Sequence, residues 1–231
     1  MTRYPILLPL LHKLLLATLL PDLALANALP AAPAGPSWQA FATRQFTRYD
    51  TTRGLPVNAA SALTQDARGY LWVGTGAGLA RWDGQRFDVV APSPDGLPDG
   101  YVRALLALGD GALLVGTNAA GLLRFDPATG AFTRIPLGAP GQLAAKVFAL
   151  RQVGPQAVWV ASDLGLGRLD LASGQVTPIP LDGLPPASRV FDALEDPQGR
   201  LWIGTQRGLW RREAGAAAFH PVEDPNGIAS D

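Results

Sequence analysis

One phrase recurs four times in this chain and restricts its fold more than any other feature. Tyr70-Leu71-Trp72-Val73-Gly74-Thr75 is followed by Gly78-Leu79-Ala80-Arg81. It returns as Leu113-Leu114-Val115-Gly116-Thr117 with Gly121-Leu122-Leu123-Arg124, then as Val158-Trp159-Val160-Ala161-Ser162 with Gly165-Leu166-Gly167-Arg168. The fourth copy is Leu201-Trp202-Ile203-Gly204-Thr205 with Gly208-Leu209-Trp210-Arg211. The small residues Gly74, Gly116, Ala161 and Gly204 mark steps of 42, 45 and 43 residues. Self-similarity at such a period means one supersecondary unit stacked on copies of itself.

Each unit reads as four short strands. The first runs over 58–63, 100–105, 145–150 and 189–194, after a lead-in that is Leu-Pro in three units. Polar turns with Asp and Gly follow, such as Asp66-Ala67-Arg68-Gly69 and Asp196-Pro197-Gln198-Gly199, where Asp accepts from the turn backbone and Gly supplies positive φ. The Trp-Val-Gly-Thr phrase is the second strand, rich in β-branched and aromatic residues. Its small residue marks close approach by a neighbour, and the column Trp72, Leu114, Trp159 and Trp202 is bulky and apolar enough to pack one unit on the next. Gly-Leu-x-Arg is the third strand. The fourth, at 87–90, 132–135, 176–179 and 219–222, contains Pro178 and Pro221, which suit only an edge. Four-stranded sheets at this period predict an all-β fold, a β-propeller with about four complete blades over 50–90, 95–135, 140–179 and 182–222. Phe46-Thr47-Arg48-Tyr49 echoes Phe132-Thr133-Arg134-Ile135 and is expected to be a stray outer strand. Asp224-Pro225-Asn226-Gly227-Ile228 echoes Asp95-Gly96-Leu97-Pro98 and reads as the opening of a fifth unit. The expectation is an incomplete arc of a larger propeller.

The tandem phrase Gly-Leu-Pro-x-Asn … Leu-x-x-Asp-x-x-Gly-x-Leu-Trp-Val-Gly-Thr-x-x-Gly-Leu resembles the two-component regulator propeller repeat. Residues 54–79 match nearly throughout, and 184–209 match with Arg189 in place of Asn. The second unit replaces Trp by Leu114, and the third replaces Gly-Thr by Ala161-Ser162 and the Leu-Pro lead by Leu137-Gly138. It is not the WD40 repeat, because Trp82-Asp83 occurs once and no Gly-His partner precedes it. The resemblance implies the extracytoplasmic sensor of a transmembrane signalling protein. It also implies a membrane helix and a histidine kinase or diguanylate cyclase on other chain, and a full receptor that is a candidate homodimer.

The ends and the composition agree with an external module. Met1-Thr2-Arg3 precedes an apolar run from Ile6 to Leu20, and Ala24-Leu25-Ala26 matches a signal-peptide cleavage site that leaves Asn27 as the mature start. Residues 27–36 are an Ala/Pro-rich linker. The expected location is periplasmic or secreted, with a full-length parent in the inner membrane. Nineteen basic residues balance nineteen acidic ones, and no basic stripe favours nucleic acid as a partner. Without cysteine there is no disulfide frame, thiolate metal site or thiol nucleophile.

Enzyme chemistry finds little support in the residues. His220, the single histidine outside the leader, falls on a predicted outer strand with no His or Cys companion. The Asp-Gly pairs at 83, 95, 99, 110 and 182 read as turns before calcium ligands. The tryptophans read as core before sugar platforms. Arg81, Arg124, Arg168 and Arg211 are each followed two places on by Asp83, Asp126, Asp170 or Glu213, which predicts same-face ion pairs. No catalytic residue, metal or cofactor is expected. In an up-and-down blade the loop before the first strand and the loop after the second open on one face. Asn58, Tyr101, Lys146 and Arg189 stand on the first, and Asn118, Asp163, Gln206 and Arg207 on the second. These eight are the candidate ligand-binding residues, since variation within a repeated frame is where ligand choice is written. A small molecule, sugar or peptide would bind there and pass its state to a membrane-linked output. The alternatives are a propeller-type lyase or hydrolase and a protein-binding scaffold.

Overall fold

The computed structural model describes residues 47–94, 96–138, 146–163 and 165–223. The segments expected to be signal peptide and linker, Phe46 and the expected fifth-unit opening at 224–228 lie outside them. Among these residues sixteen strands form four separate four-stranded antiparallel sheets, each meandering in chain order. Sheet 1 holds β1 (Ala60–Gln65), β2 (Leu71–Thr75), β3 (Gly78–Trp82) and β4 (Phe87–Val90). Sheet 2 holds β5 (Val102–Ala107), β6 (Leu113–Thr117), β7 (Leu122–Asp126) and β8 (Ala131–Ile135). Sheet 3 holds β9 (Val147–Val153), β10 (Ala157–Ser162), β11 (Gly165–Asp170) and β12 (Val176–Pro178). Sheet 4 holds β13 (Val190–Glu195), β14 (Leu201–Thr205), β15 (Gly208–Arg212) and β16 (His220–Pro221). The first strands lie side by side, β1 next to β5, β5 next to β9 and β9 next to β13. The sheets therefore fan from a shared inner edge, which is the propeller arrangement.

The core is laminated between sheets. Trp72 and Leu79 of sheet 1 are buried against Val102, Leu105, Val115 and Phe125 of sheet 2. Leu114 and Leu122 of sheet 2 pack on Val147, Leu150 and Leu169 of sheet 3. Trp159 and Leu166 of sheet 3 pack on Val190, Ala193 and Ile203 of sheet 4. The glycine in the second strands of sheets 1 and 2 receives a valine from the next inner strand. A Cβ built on Gly74 would stand 2.6 Å from Val102 Cγ1, and one on Gly116 would stand 2.7 Å from Val147 Cγ1. Between sheets 1 and 2 the Ser61 hydroxyl donates to the Val102 carbonyl, and Ala107 N donates to Thr64 Oγ1 over 3.2 Å.

The flanks beyond this lamination are different. On the trailing flank of sheet 4, Leu194 and Leu209 are 61% and 45% exposed, whereas Leu79, Leu122 and Leu166, which match Leu209, are at most 1% exposed. A Cβ on Gly204 would meet nothing within 4 Å. On the leading flank of sheet 1, Leu63 is 61% exposed while its counterparts Leu105 and Leu150 are buried.

Three sequence expectations are corrected. The first strands begin later than the apolar pattern suggests, at Ala60, Val102, Val147 and Val190, because the preceding residues close the lead-in turn. Thr47-Arg48-Tyr49 is not a strand. It has no ladder partner among the described residues, and Tyr49 instead sets its ring edge-on to Trp82 and Phe87, 4.7 and 5.9 Å away between centroids. Of the four same-face ion pairs, only Arg211–Glu213 forms, at 2.7 Å. Arg81 reaches across the ladder to Asp88 at 2.7 Å, and Arg124 reaches Asp110 at 2.5 Å. Asp83, Asp126 and Asp170 accept from turn backbone N–H groups of Gln85 and Arg86, Ala128, and Ser173. Those hydrogen bonds hold their carboxyls below the ordinary carboxylate range. A fixed backbone donor one turn away outcompetes a mobile guanidinium.

Two turns also tie down a tryptophan. Asp66 accepts from Arg68 N and Tyr70 N, and its second oxygen accepts from Trp72 Nε1 at 2.8 Å. Asp196 repeats this with Gln198 N and Arg200 N, and with Trp202 Nε1 at 2.8 Å. Desolvation raises the Asp196 carboxyl, but the donors from Trp202 and from the Arg200 backbone and side chain outweigh it and lower its pKa to about 2. A depressed folded pKa stabilises the fold fully above the unfolded value of 3.8 and is lost as pH falls through about 2. An acid titration of thermal stability is therefore expected to steepen between about pH 4 and pH 2. Asp196→Asn, which turns a donor toward Trp202 and Arg200, should flatten that segment and lower stability at neutral pH.

Candidate functional site

The loops that carry the candidate residues are rigidified by the hydroxyl of the repeated phrase. Thr75, Thr117, Ser162 and Thr205 donate to the carbonyls of Gly78, Gly121, Gly165 and Gly208 at 2.8 to 3.0 Å. The same oxygens of Thr75, Thr117 and Thr205 accept from the N–H of Ala77, Ala120 and Arg207. A buried hydroxyl with both functions satisfied fixes the turn, and the residues between it and the glycine are free to vary.

The lead-in loop and the β2–β3-type turn are brought together in sheets 2, 3 and 4. Asn118 N donates to the Tyr101 carbonyl at 3.0 Å, and Asp163 N to the Lys146 carbonyl at 3.2 Å. Arg189 N donates to Gln206 Oε1 at 2.6 Å. Asn58 differs, because its Oδ1 accepts from Thr51 N at 2.8 Å and ties up the short 3-10 turn Thr51–Arg53. Arg207 is exposed beside Gln206.

Three further residues join this face. Val102, Val147 and Val190 fill the inter-sheet slots, and the residue after each, Arg103, Phe148 or Phe191, stands next to the lead-in residues of its own sheet. Arg103 Nε donates to Asn118 Oδ1 at 2.8 Å, and its guanidinium lies 4.7 Å from the Tyr101 ring centroid and 5.5 Å from that of Phe148. Phe148 and Phe191 meet edge to face at 5.2 Å. The Tyr101 ring lies 3.8 Å from where a Cβ on Gly76 would stand. Tyr101, Arg103, Phe148 and Phe191 thus form a row along the inner edge that touches all four sheets. Tyr101 and Phe191 are each 41% exposed. The signal for the added residues was present in the sequence as a fixed place in the repeat, after the slot valine, where Ser61 is the sheet 1 equivalent.

The row combines aromatic faces with cations. Among the described residues Arg103, Lys146, Arg189 and Arg207 are in no ion pair. Asp163 Oδ1 is buried there without a hydrogen-bond partner among the described residues, an acceptor that a donor could still satisfy. Rings flanked by guanidinium and amide groups can hold the flat or apolar face of a ligand while fixing its polar edge. His220, by contrast, is exposed on the outermost strand of sheet 4.

Comparison with known proteins bears on the fold and on the repeats. Residues 54–77 and 183–207 match the family described as two component regulator propeller. The chain is similar to the extracellular domain of a hybrid two-component system from B. thetaiotaomicron, with 22% identity over 78% of this chain and 26% of that one, and a TM-score of 0.69. It is similar to the extracellular domain of a one-component system from the same organism, with 22% identity over 80% of this chain and 24% of that one, and a TM-score of 0.63. A third similarity is to virginiamycin B lyase from Staphylococcus aureus, at 16% identity over 74% and 58% of the two chains, with a TM-score of 0.55. No curated protein sequence matches the chain. The chain spans about a quarter of the length of the two extracellular domains. Four sheets fanned from one inner edge give the conclusion that this chain has a propeller fold, in which two of the four repeats, at 54–77 and 183–207, match the two component regulator propeller family.

Proposed function

We propose that the chain is the ligand-sensing part of an extracytoplasmic receptor, exported by the leader at 1–26 and read by a membrane-linked kinase or cyclase on other chain. The observation that carries this reading is the row Tyr101–Arg103–Phe148–Phe191, because a molecule lying on it contacts sheets that no strand ladder joins to one another. Such a ligand changes the relative stability of sheet arrangements, and differential affinity is all that a ligand can contribute to signalling. The eight loop residues supply its selectivity, with Asn118, Gln206 and the Asp163 carboxylate offering polar contacts and Lys146, Arg189 and Arg207 favouring an anionic or polyhydroxylated edge. The similarity to extracellular domains of signalling systems supports this reading over a lyase, and His220 is placed too far out on sheet 4 to serve the row as a base. Among the described residues no helix is long and apolar enough to cross a membrane.

A thermal-shift screen of sugars and short peptides tests the reading. One class should raise the melting temperature saturably, and Arg103→Ala or Phe191→Ala should each weaken that binding by about tenfold or more, the scale of one lost aromatic or charge-assisted contact. Binding that is indifferent to both substitutions would refute the assignment of the row. Mass spectrometry of exported protein should give Asn27 as the first residue.

A further inference from the structure

The three junctions between sheets are not packed alike. At the first, Trp72 of sheet 1 meets Phe125 edge-on at 5.6 Å, and Phe125 stacks on Phe132 at 4.4 Å. Strand register identifies the corresponding positions elsewhere. Trp72 pairs with Arg81, as Leu114 does with Arg124 and Trp159 with Arg168. Phe125 pairs with Leu113 and Phe132, and Leu169 pairs with Val158 and Val176 in the same way. The second junction therefore has Leu114, Leu169 and Val176 where the first has three aromatic rings. The third regains Trp159 and Phe219, both buried.

A cavity of about 510 Å³ opens at that second junction, lined by Leu108, Leu114, Ile135, Leu169 and Leu171 with Arg124 at its polar edge. The corresponding clefts at the first and third junctions measure about 270 and 340 Å³. The larger space is the most apolar of the three and has the size that holds small molecules. Leu108 completes the exchange. It occupies the turn position of Asp66 and Asp196, so where the indole is missing its carboxylate acceptor is missing too, and no buried polar group is stranded.

The arginine column indicates what shape fits. Arg81 lies over the Trp72 ring at 5.8 Å and Arg211 over the Trp202 ring at 5.2 Å. Arg124, the matching residue, is held by Asp110 at 2.5 Å but has Leu114 in place of an indole. Its guanidinium face is left without the ring that its counterparts cover. We propose that the cleft between sheets 2 and 3 is a binding site for a flat, uncharged aromatic molecule of one or two fused rings, which takes the place of the missing side chains and stacks beneath Arg124. The site uses the turns that link first to second strands. It lies at the opposite end of the sheets from the inner-edge row and does not depend on that row's function.

Indole is a suitable probe, titrated into the intact chain by calorimetry. The expected result is saturable binding of one equivalent, with the Ile135 methyl signal shifting in proportion in a carbon-13 correlation spectrum. Leu114→Trp should restore the ring and weaken indole binding at least tenfold while raising the melting temperature. Leu169→Phe fills the same space from the sheet 3 side and serves if Leu114→Trp does not fold. No binding at millimolar indole, or equal binding to the wild type and to a folded filling variant, would overturn the proposal.

Discussion

Gly116→Val is expected to lower stability by about 3 kcal/mol or more, as overpacking of a closed core does, while Gly204→Val stays within about 0.5 kcal/mol of the parent. The two glycines hold one place in the repeat and differ only in what lies opposite. At Gly116 even a Cβ would stand 2.7 Å from Val147 Cγ1, 3.0 Å from Val147 Cβ and 3.1 Å from Ala104 Cβ, so it would be squeezed by two strands at once. Neither strand can retreat easily, since β5 and β9 are the adjacent inner strands and each is laddered to its own sheet. At Gly204 nothing lies within 4 Å, and a β-branched residue there gains strand propensity. For a chain of this size the Gly116→Val loss corresponds to roughly 6–12 °C in melting temperature, read by calorimetry or circular dichroism. Adding Val147→Ala to Gly116→Ala should recover part of the loss, and the recovered part is the coupling energy of the slot. Equal losses at 116 and 204 would mean that the glycine serves backbone freedom instead of receiving the neighbour.

That contrast also shows how far the sequence could be read. The repeat period, the strand order and the burial of Trp72 and Trp159 followed from the phrase itself, because a unit that cannot bury its own apolar flank must stack. Gly74 and Gly116 were legible as close-approach points for the same reason. Which atom approaches was not, since Val102 and Val147 belong to the next unit, 28 and 31 residues further on. The arginine column misled because i and i+2 spacing reports a shared face but not the competing donors, and the turn N–H groups beside Asp83, Asp126 and Asp170 claimed the carboxylates first. The loop face was placed from topology alone, with Tyr101 beside Asn118, Lys146 beside Asp163 and Arg189 beside Gln206. Arg103, Phe148 and Phe191 went unread because inside a strand they look like ordinary half-buried positions, and their alignment across sheets exists only after the sheets fan. The cleft beside Leu114 needed residues of two sheets at once. The sequence shows the loss of one tryptophan there, and only strand register reveals that Leu169 and Val176 repeat the loss.

Trp72→Ala is expected to cost about 3–5 kcal/mol, the range for deleting a fully buried large aromatic, against about 2–3 kcal/mol for Trp202→Ala. Both indoles donate to a turn aspartate at 2.8 Å, so the hydrogen bond is common to the pair and the difference isolates burial. Trp72 is 2% exposed and meets Phe125, which in turn stacks on Phe132, so its removal leaves a void bounded by rigid rings from the next sheet. Such a void collapses poorly, which puts the cost in the upper part of the range. Trp202 lies on the trailing flank, partly exposed, with Arg200 and Arg211 at 5.6 and 5.2 Å from its ring centroid. There the loss is the indole bond to Asp196 and two exposed cation–π contacts, each worth about 0.5–1 kcal/mol. Trp72→Phe separates the contributions further, because it keeps most of the ring packing and removes the donor to Asp66, and it should fall near 1–2 kcal/mol. Chemical denaturation of the three variants, with unchanged m-values, checks that Trp72→Ala is the most damaging and that Trp72→Phe costs no more than Trp202→Ala. If Trp202→Ala proved as damaging as Trp72→Ala, the trailing flank of sheet 4 would have to be covered in solution, and the exposed Leu194 and Leu209 beside it would be the first residues to test for what covers them.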